Sequence, residues 1–116
     1  MKKLVTALFT VTLSAAAMAN TMTNNMDHHN TSPMQQELMA SMNEMHQDMM
    51  KGMESQDPDI AFVTGMIPHH KGAVKMAEIE LKYGKDPELR QLAKNIIQAQ
   101  EGEIKFLQQW LQKHQK

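Results

Sequence analysis

The sequence predicts an all-α fold, a single antiparallel helical bundle of three long helices. Three observations lead there. Ser32-Pro33, Asp57-Pro58 and Asp86-Pro87 repeat one punctuation, an N-cap residue followed by proline in the first helical turn. Apolar residues recur with a helical period after each of these starts, and no segment alternates as a strand would. The connections left between the helices are short, which favours antiparallel neighbours.

The first helix is expected over 33–54. At about 100° per residue, Met34, Leu38, Met39, Met42, Met45, His46, Met49, Met50 and Met53 fall on one side, while Glu37, Glu44, Gln47, Asp48 and Lys51 fall on the other. The second is expected over 58–83, with Gly84 as its C-cap. Phe62, Val63, Met66, Ile67, His70, Ala73, Val74, Ala77 and Leu81 share one arc, with His69 at its edge. Pro68 lies inside this helix and removes one backbone hydrogen bond beside the two histidines. The third is expected over 87–114. Its apolar arc holds Leu89, Leu92, Ala93, Ile96, Ile104, Leu107, Trp110 and Leu111, with Gln100 and Glu103 inside it.

Residues 1–19 read as a removable export signal. Lys2 and Lys3 precede a mostly apolar run from Leu4 to Leu13, and Ala17-Met18-Ala19 supplies a small-residue cleavage site. The run is shorter than the roughly 20 residues that span a bilayer. Cleavage after Ala19 would leave 97 of the 116 residues, enough for one small domain, and the expected location is the periplasm. Residues 20–32 are a polar Met- and His-containing stretch expected to be disordered, ahead of the bundle domain over 33–116.

The net charge of −1 becomes −3 once Lys2 and Lys3 are removed. With no basic stripe and only 4% aromatic residues, nothing supports nucleic-acid binding. The chain has no cysteine, so it has neither a disulfide nor a thiolate for a metal. Its anomaly is methionine: there are 13, where a small core would ordinarily use Leu, Ile, Val and Phe.

Thioether and imidazole donors suit copper(I), and silver by the same softness. A helix presents such donors together at offsets of three, four and seven residues. The first helix offers Met42, His46, Met49, Met50 and Met53 in that pattern, and the second offers Met66, His69, His70 and Met76. These nine are the candidate metal ligands. Each methionine can also be core packing, and a histidine on an apolar face can be a satisfied core residue. Met26, His28 and His29 form a further cluster that reads either as solvated tail or as a metal-catching segment. His114 reads as a capping or surface residue. Glu103 reads either as a partly exposed acid at the bundle edge or as the acceptor of an imidazole N–H behind a ligand. Zinc fits this donor set less well, a di-iron site lacks its pair of Glu-x-x-His motifs, and no serine has an evident base. A binding protein is therefore expected rather than an enzyme.

The stretch from Phe62 to Ala77, with Met66-Ile67-Pro68-His69-His70 at its centre, resembles the signature of the domain of unknown function 305 family. Lys82 to Leu89 and the Gln100, Glu101, Glu103, Ile104 region are similar to it as well. The resemblance implies a ferritin-like helical bundle, often exported, some of whose members are periplasmic copper-binding proteins linked to copper resistance. It singles out Met66, His69, His70 and Met76. The chain has room for three long helices rather than four, so a four-helix arrangement would need a second copy, a homo-oligomer. The function expected is Cu(I) buffering or chaperoning, with hand-over to a copper-efflux or other envelope copper protein. The alternative is a metal-free helical interaction protein of the cell envelope that uses the methionine-rich face.

Overall fold

A computed structural model describes residues 31–115, and the expected signal segment, its cleavage site and the Met26, His28, His29 cluster lie outside the described residues. The three helices are α1 (Pro33–Gly52), α2 (Pro58–Tyr83) and α3 (Pro87–His114), with no strand among the described residues. All three starts follow the sequence signals. The Ser32 hydroxyl accepts from the Gln35 N–H while the Gln35 side chain accepts from the Ser32 N–H, a reciprocal cap. The Asp57 carboxylate accepts from the Asp59 and Ile60 N–H groups, and that of Asp86 from the Glu88 and Leu89 N–H groups.

The ends differ slightly from expectation. Helix α1 stops at Gly52 rather than 54, because Met53 turns out of the helix and caps it, its N–H on the Met49 and Lys51 carbonyls. Gly84 does close α2, its N–H on the Glu80 carbonyl, but with extended backbone rather than a left-handed turn. The carboxylate of Glu80 lies where a side chain at 84 would stand. At the far end, His114 Nδ1 meets the Trp110 carbonyl at 2.7 Å and its ring stacks on the indole at 4.0 Å, the capping role expected of it.

Cross-helix pairs fix the directions. Gly52 meets Thr64, Met45 meets Gly72, and Glu37 pairs with Lys82 at 2.5 Å, so α1 runs antiparallel to α2. Arg90 donates to the Leu81 carbonyl and His70 pairs with Glu103, so α3 does too. Helix α2 is the centre: α1 and α3 each pack on it and not on each other. Its α1 side carries Thr64, Gly65, Pro68 and Gly72, and its α3 side carries the buried Val63, His70 and Ala77. These two sets lie on opposite sides of the α2 helical wheel, so the bundle is an open layer with two broad faces.

Glycine allows the α1–α2 approach. A Cβ on Gly52 would stand well inside contact distance of the Thr64 carbonyl oxygen, and one on Gly72 would overlap the Met45 side chain. Pro68 brings no N–H, so the Thr64 carbonyl four residues back lacks its usual intrahelical donor. It is this freed carbonyl that faces Gly52, and the Thr64 hydroxyl donates to the Gly52 carbonyl in turn. The end of α1 is thus joined to α2 where proline interrupts its hydrogen bonding.

Two predictions follow from this packing. Gly52→Ala should lower stability by about 1–3 kcal/mol, since the obstacle is backbone, whereas Gly102→Ala, with nothing within 4 Å, should raise it by about 0.5–1 kcal/mol. Urea unfolding of the two variants checks both signs. The second concerns Glu37. Hydrogen bonds from Lys82 and then Tyr83 hold its carboxyl below the ordinary 4.5. A depressed carboxyl stabilises the fold above its unfolded value and loses that contribution as pH falls through the folded one. The stability difference between wild type and Glu37→Gln should therefore shrink as pH is lowered below 4.5, as read from unfolding curves across that range.

Candidate metal-binding face

The two faces of the layer differ in chemistry. One is rimmed by charge: its groove, about 290 Å³, has an apolar floor of Met45, Pro68, Val74 and Ile104 bordered by Glu44, Asp48, Lys71, Lys75, Glu78 and Glu101. The other is apolar. Helical phase puts Met42, Met49 and Met53 of α1 on it, opposite the edge that carries Glu37, Glu44 and Asp48. It takes Phe62, Met66, His69 and Met76 from α2, and Leu89, Leu92 and Phe106 from α3. The α3 arc is therefore only half used against α2: its Leu89 and Leu92 remain exposed, as does Phe106 beside the arc.

Register decides which donors stand level. The pairs Gly52 with Thr64, Met53 with Gly65 and Met45 with Gly72 show that α1 and α2 positions summing to about 117 face each other. The Met53 Cγ would lie 3.1 Å, and its sulfur 3.7 Å, from a Cβ on Gly65. Extended along the helices, the same register sets Met49 level with His69 and Met42 level with Met76. A line of thioethers with one exposed imidazole thus runs along the α1–α2 seam of the apolar face.

The remaining candidates are arranged differently. His46 and Met50 lie further round α1, toward its outer edge, and both are exposed. Met45, by contrast, turns onto Gly72 and borders the polar groove. His70 is turned into the α2–α3 contact, only 7% exposed, and pairs through Nε2 with a carboxylate oxygen of Glu103. Glu103 is an exposed acid at the bundle edge, its side chain 66% exposed, and it also partners the imidazole. His70 Nδ1 is buried with no hydrogen-bond partner, which is uncommon for a buried polar atom. His70 and Met66 line a cleft of about 290 Å³ with Phe62, Phe106 and Leu107. The expectation of one pocket between α1 and α2 therefore divides: Met42, Met49, Met53 and His69 lie level along the α1–α2 seam, Met66 and His70 line one α2–α3 cleft, and Met76, level with Met42, lines a second with Leu89, Leu92 and Ile96.

The sequence reading did not single out Gly52, Gly65 and Gly72, which set the register. Their signal is the seven-residue spacing of Gly65 and Gly72 along one edge of α2. Phe106, a wall of the α2–α3 cleft, was also outside the expected apolar arc.

The donor set is soft. No group of three or more His, Asp or Glu side chains among the described residues could hold a metal ion. Thioethers and imidazole are what the face offers, which suits a monovalent soft ion rather than zinc, iron or magnesium.

The chain belongs to the family described as Domain of unknown function (DUF305), whose model matches residues 4–111. It is also 44% identical, over 46 residues, to an uncharacterized protein of Acanthamoeba polyphaga mimivirus. That match covers 40% of this chain and 30% of the viral protein, so the chain spans well under two thirds of its relative. No helix among the described residues is long and apolar enough to cross a membrane.

In neutral His70 the Glu103 partner favours the Nε2–H tautomer and leaves the Nδ1 lone pair free. Nitrogen-15 NMR of the ring should show that tautomer dominant in wild type and the preference lost in Glu103→Leu.

Proposed function

We propose that this protein binds copper(I) at the methionine-rich face, as an exported buffer or chaperone that contributes to copper tolerance in the periplasm. The observation that carries the reading is the close α1–α2 approach at Gly52, Gly65 and Gly72, with Met53 seated over Gly65; carried along the helices, this register brings Met49 to the level of His69 and Met42 to that of Met76. Copper(I) takes two to four soft ligands, and a seam of thioethers with one imidazole offers several such sets in series. His70, held by Glu103, has the arrangement of a metal-binding imidazole whose far nitrogen is anchored by a carboxylate. Open, half-exposed donors suit transfer: an acceptor protein can approach and exchange ligands one at a time. Silver would compete for the same donors. Binding and release are the whole activity in this reading, with no bond made or broken in a substrate.

Anaerobic Cu(I) titration against a competing chelator tests it. Met49→Ala/His69→Ala should weaken binding by about tenfold or more, or about 1.4 kcal/mol, while Met34→Ala, at the far end of α1, should leave it unchanged. Equal affinity in wild type and the double variant would refute the seam as the site.

The exposure of Phe62, Leu89, Leu92 and Phe106, none of them a metal donor, favours a second reading: a metal-free interaction protein. It differs in one observable. A ligand that binds only the folded chain must raise its melting temperature, so a Tm indifferent to Cu(I) would support this second reading.

A further inference from the structure

All eight large apolar side chains that stay exposed, Met42, Met50, Met53, Phe62, Met76, Leu89, Leu92 and Phe106, are between 47% and 65% exposed. By helical phase, six of them project from the methionine-bearing face, and Met50 and Phe106 stand at its two outer margins. None belongs to the polar groove. Conversely, no large side chain of the described residues is completely enclosed, and the buried apolar set is only Val63, Ala77, Ile79, Ala93 and Leu107. The large exposed apolar side chains thus gather on one face and leave it unfinished.

We propose that the unfinished face is covered by a second copy of this chain, packed face to face about a two-fold axis near the middle of α2. Area supports this occupant. At about 200 Å² for a fully exposed phenylalanine and somewhat less for methionine or leucine, these half-exposed side chains present on the order of 600–800 Å², the lower range of one partner's share in a standard interface. Width supports it too. The apolar residues come from all three helices, whereas one added helix, about 10 Å across, covers a single groove. Residues 20–30, Asn-Thr-Met-Thr-Asn-Asn-Met-Asp-His-His-Asn, have too few apolar side chains to cover such a face. A second layer is as wide and as apolar as the first, and a two-fold interface is by construction self-complementary. Charge is permissive, because the clefts of this face are lined by only two charged residues: Glu103, engaged by His70, and Glu80. In the dimer the two methionine seams face each other across the interface, so that thioethers of both copies can serve one ion.

The dimer rests on the apolar face alone, so it is tested without metal. Sedimentation equilibrium of the purified full chain in chelator, from about 1 to 100 µM, should give twice the single-chain mass at the upper end. Phe62→Glu and Leu92→Glu, each adding a buried charge to both halves of the interface, should give the single-chain mass with the helical circular dichroism of wild type. Lys75→Glu, on the polar face, should leave the dimer intact. To guard against variants that fail to fold, a spin label on Ala73→Cys, in the middle of the face, should show an intermolecular distance that is shorter than for Ala40→Cys on the polar side. A single-chain mass for wild type throughout, or a dimer broken by Lys75→Glu and not by Phe62→Glu, would overturn the assignment, whatever else then covers the face.

Discussion

The close approach of α1 to α2 governs the rest of the molecule. Gly52 lies against the Thr64 carbonyl, Gly65 under Met53 and Gly72 under Met45. Bulkier residues at these three points would push the helices apart or slide one past the other. Bringing the residue next to Gly52 into the contact with Thr64 would rotate α1 by about 100° and carry every α1 donor away from its α2 neighbour. The glycines therefore act through register, and register decides whether thioethers of one helix stand beside the imidazole of the next. The joint at Pro68 reinforces this, since it supplies a carbonyl that α2 itself does not satisfy.

The second consequence is the open layer. Because α1 and α3 sit on opposite sides of α2, the apolar residues of three amphipathic helices cannot all be buried within one chain. One side is closed off by charged residues such as Glu44, Lys71, Lys75 and Glu101. The other keeps its methionines and phenylalanines at the surface. Methionine tolerates this better than leucine, because a flexible thioether adapts to water, a partner or a metal in turn. The unusual composition and the incomplete core thus have a common cause.

The helices were legible in the sequence almost residue by residue, because Ser32-Pro33, Asp57-Pro58 and Asp86-Pro87 are local signals that need no tertiary context. The two-residue error at the end of α1 arose where no such signal exists and Met53 could continue or cap. The layer was not legible. Periodicity gives the phase of each apolar arc but not which part of it a neighbour covers, so Leu89 and Leu92 were expected inside and are exposed. His70 shows the same limit. Its position amid an apolar arc fits a ligand toward α1 and a core residue toward α3 equally well, and only the geometry of α3 brings Glu103 to its Nε2. The family motif points to the α2 segment around Met66, His69 and His70, while the division into an α1–α2 seam and an α2–α3 cleft depends on long-range packing.

The most direct test of a shared α1–α2 copper seam is a methionine-methyl carbon-13 NMR spectrum followed through addition of Cu(I). Met42, Met49 and Met53 of α1 should shift together with Met76 of α2, while Met34 stays in place. Shifts confined to methionines of a single helix, or to Met22 and Met26 alone, would contradict it.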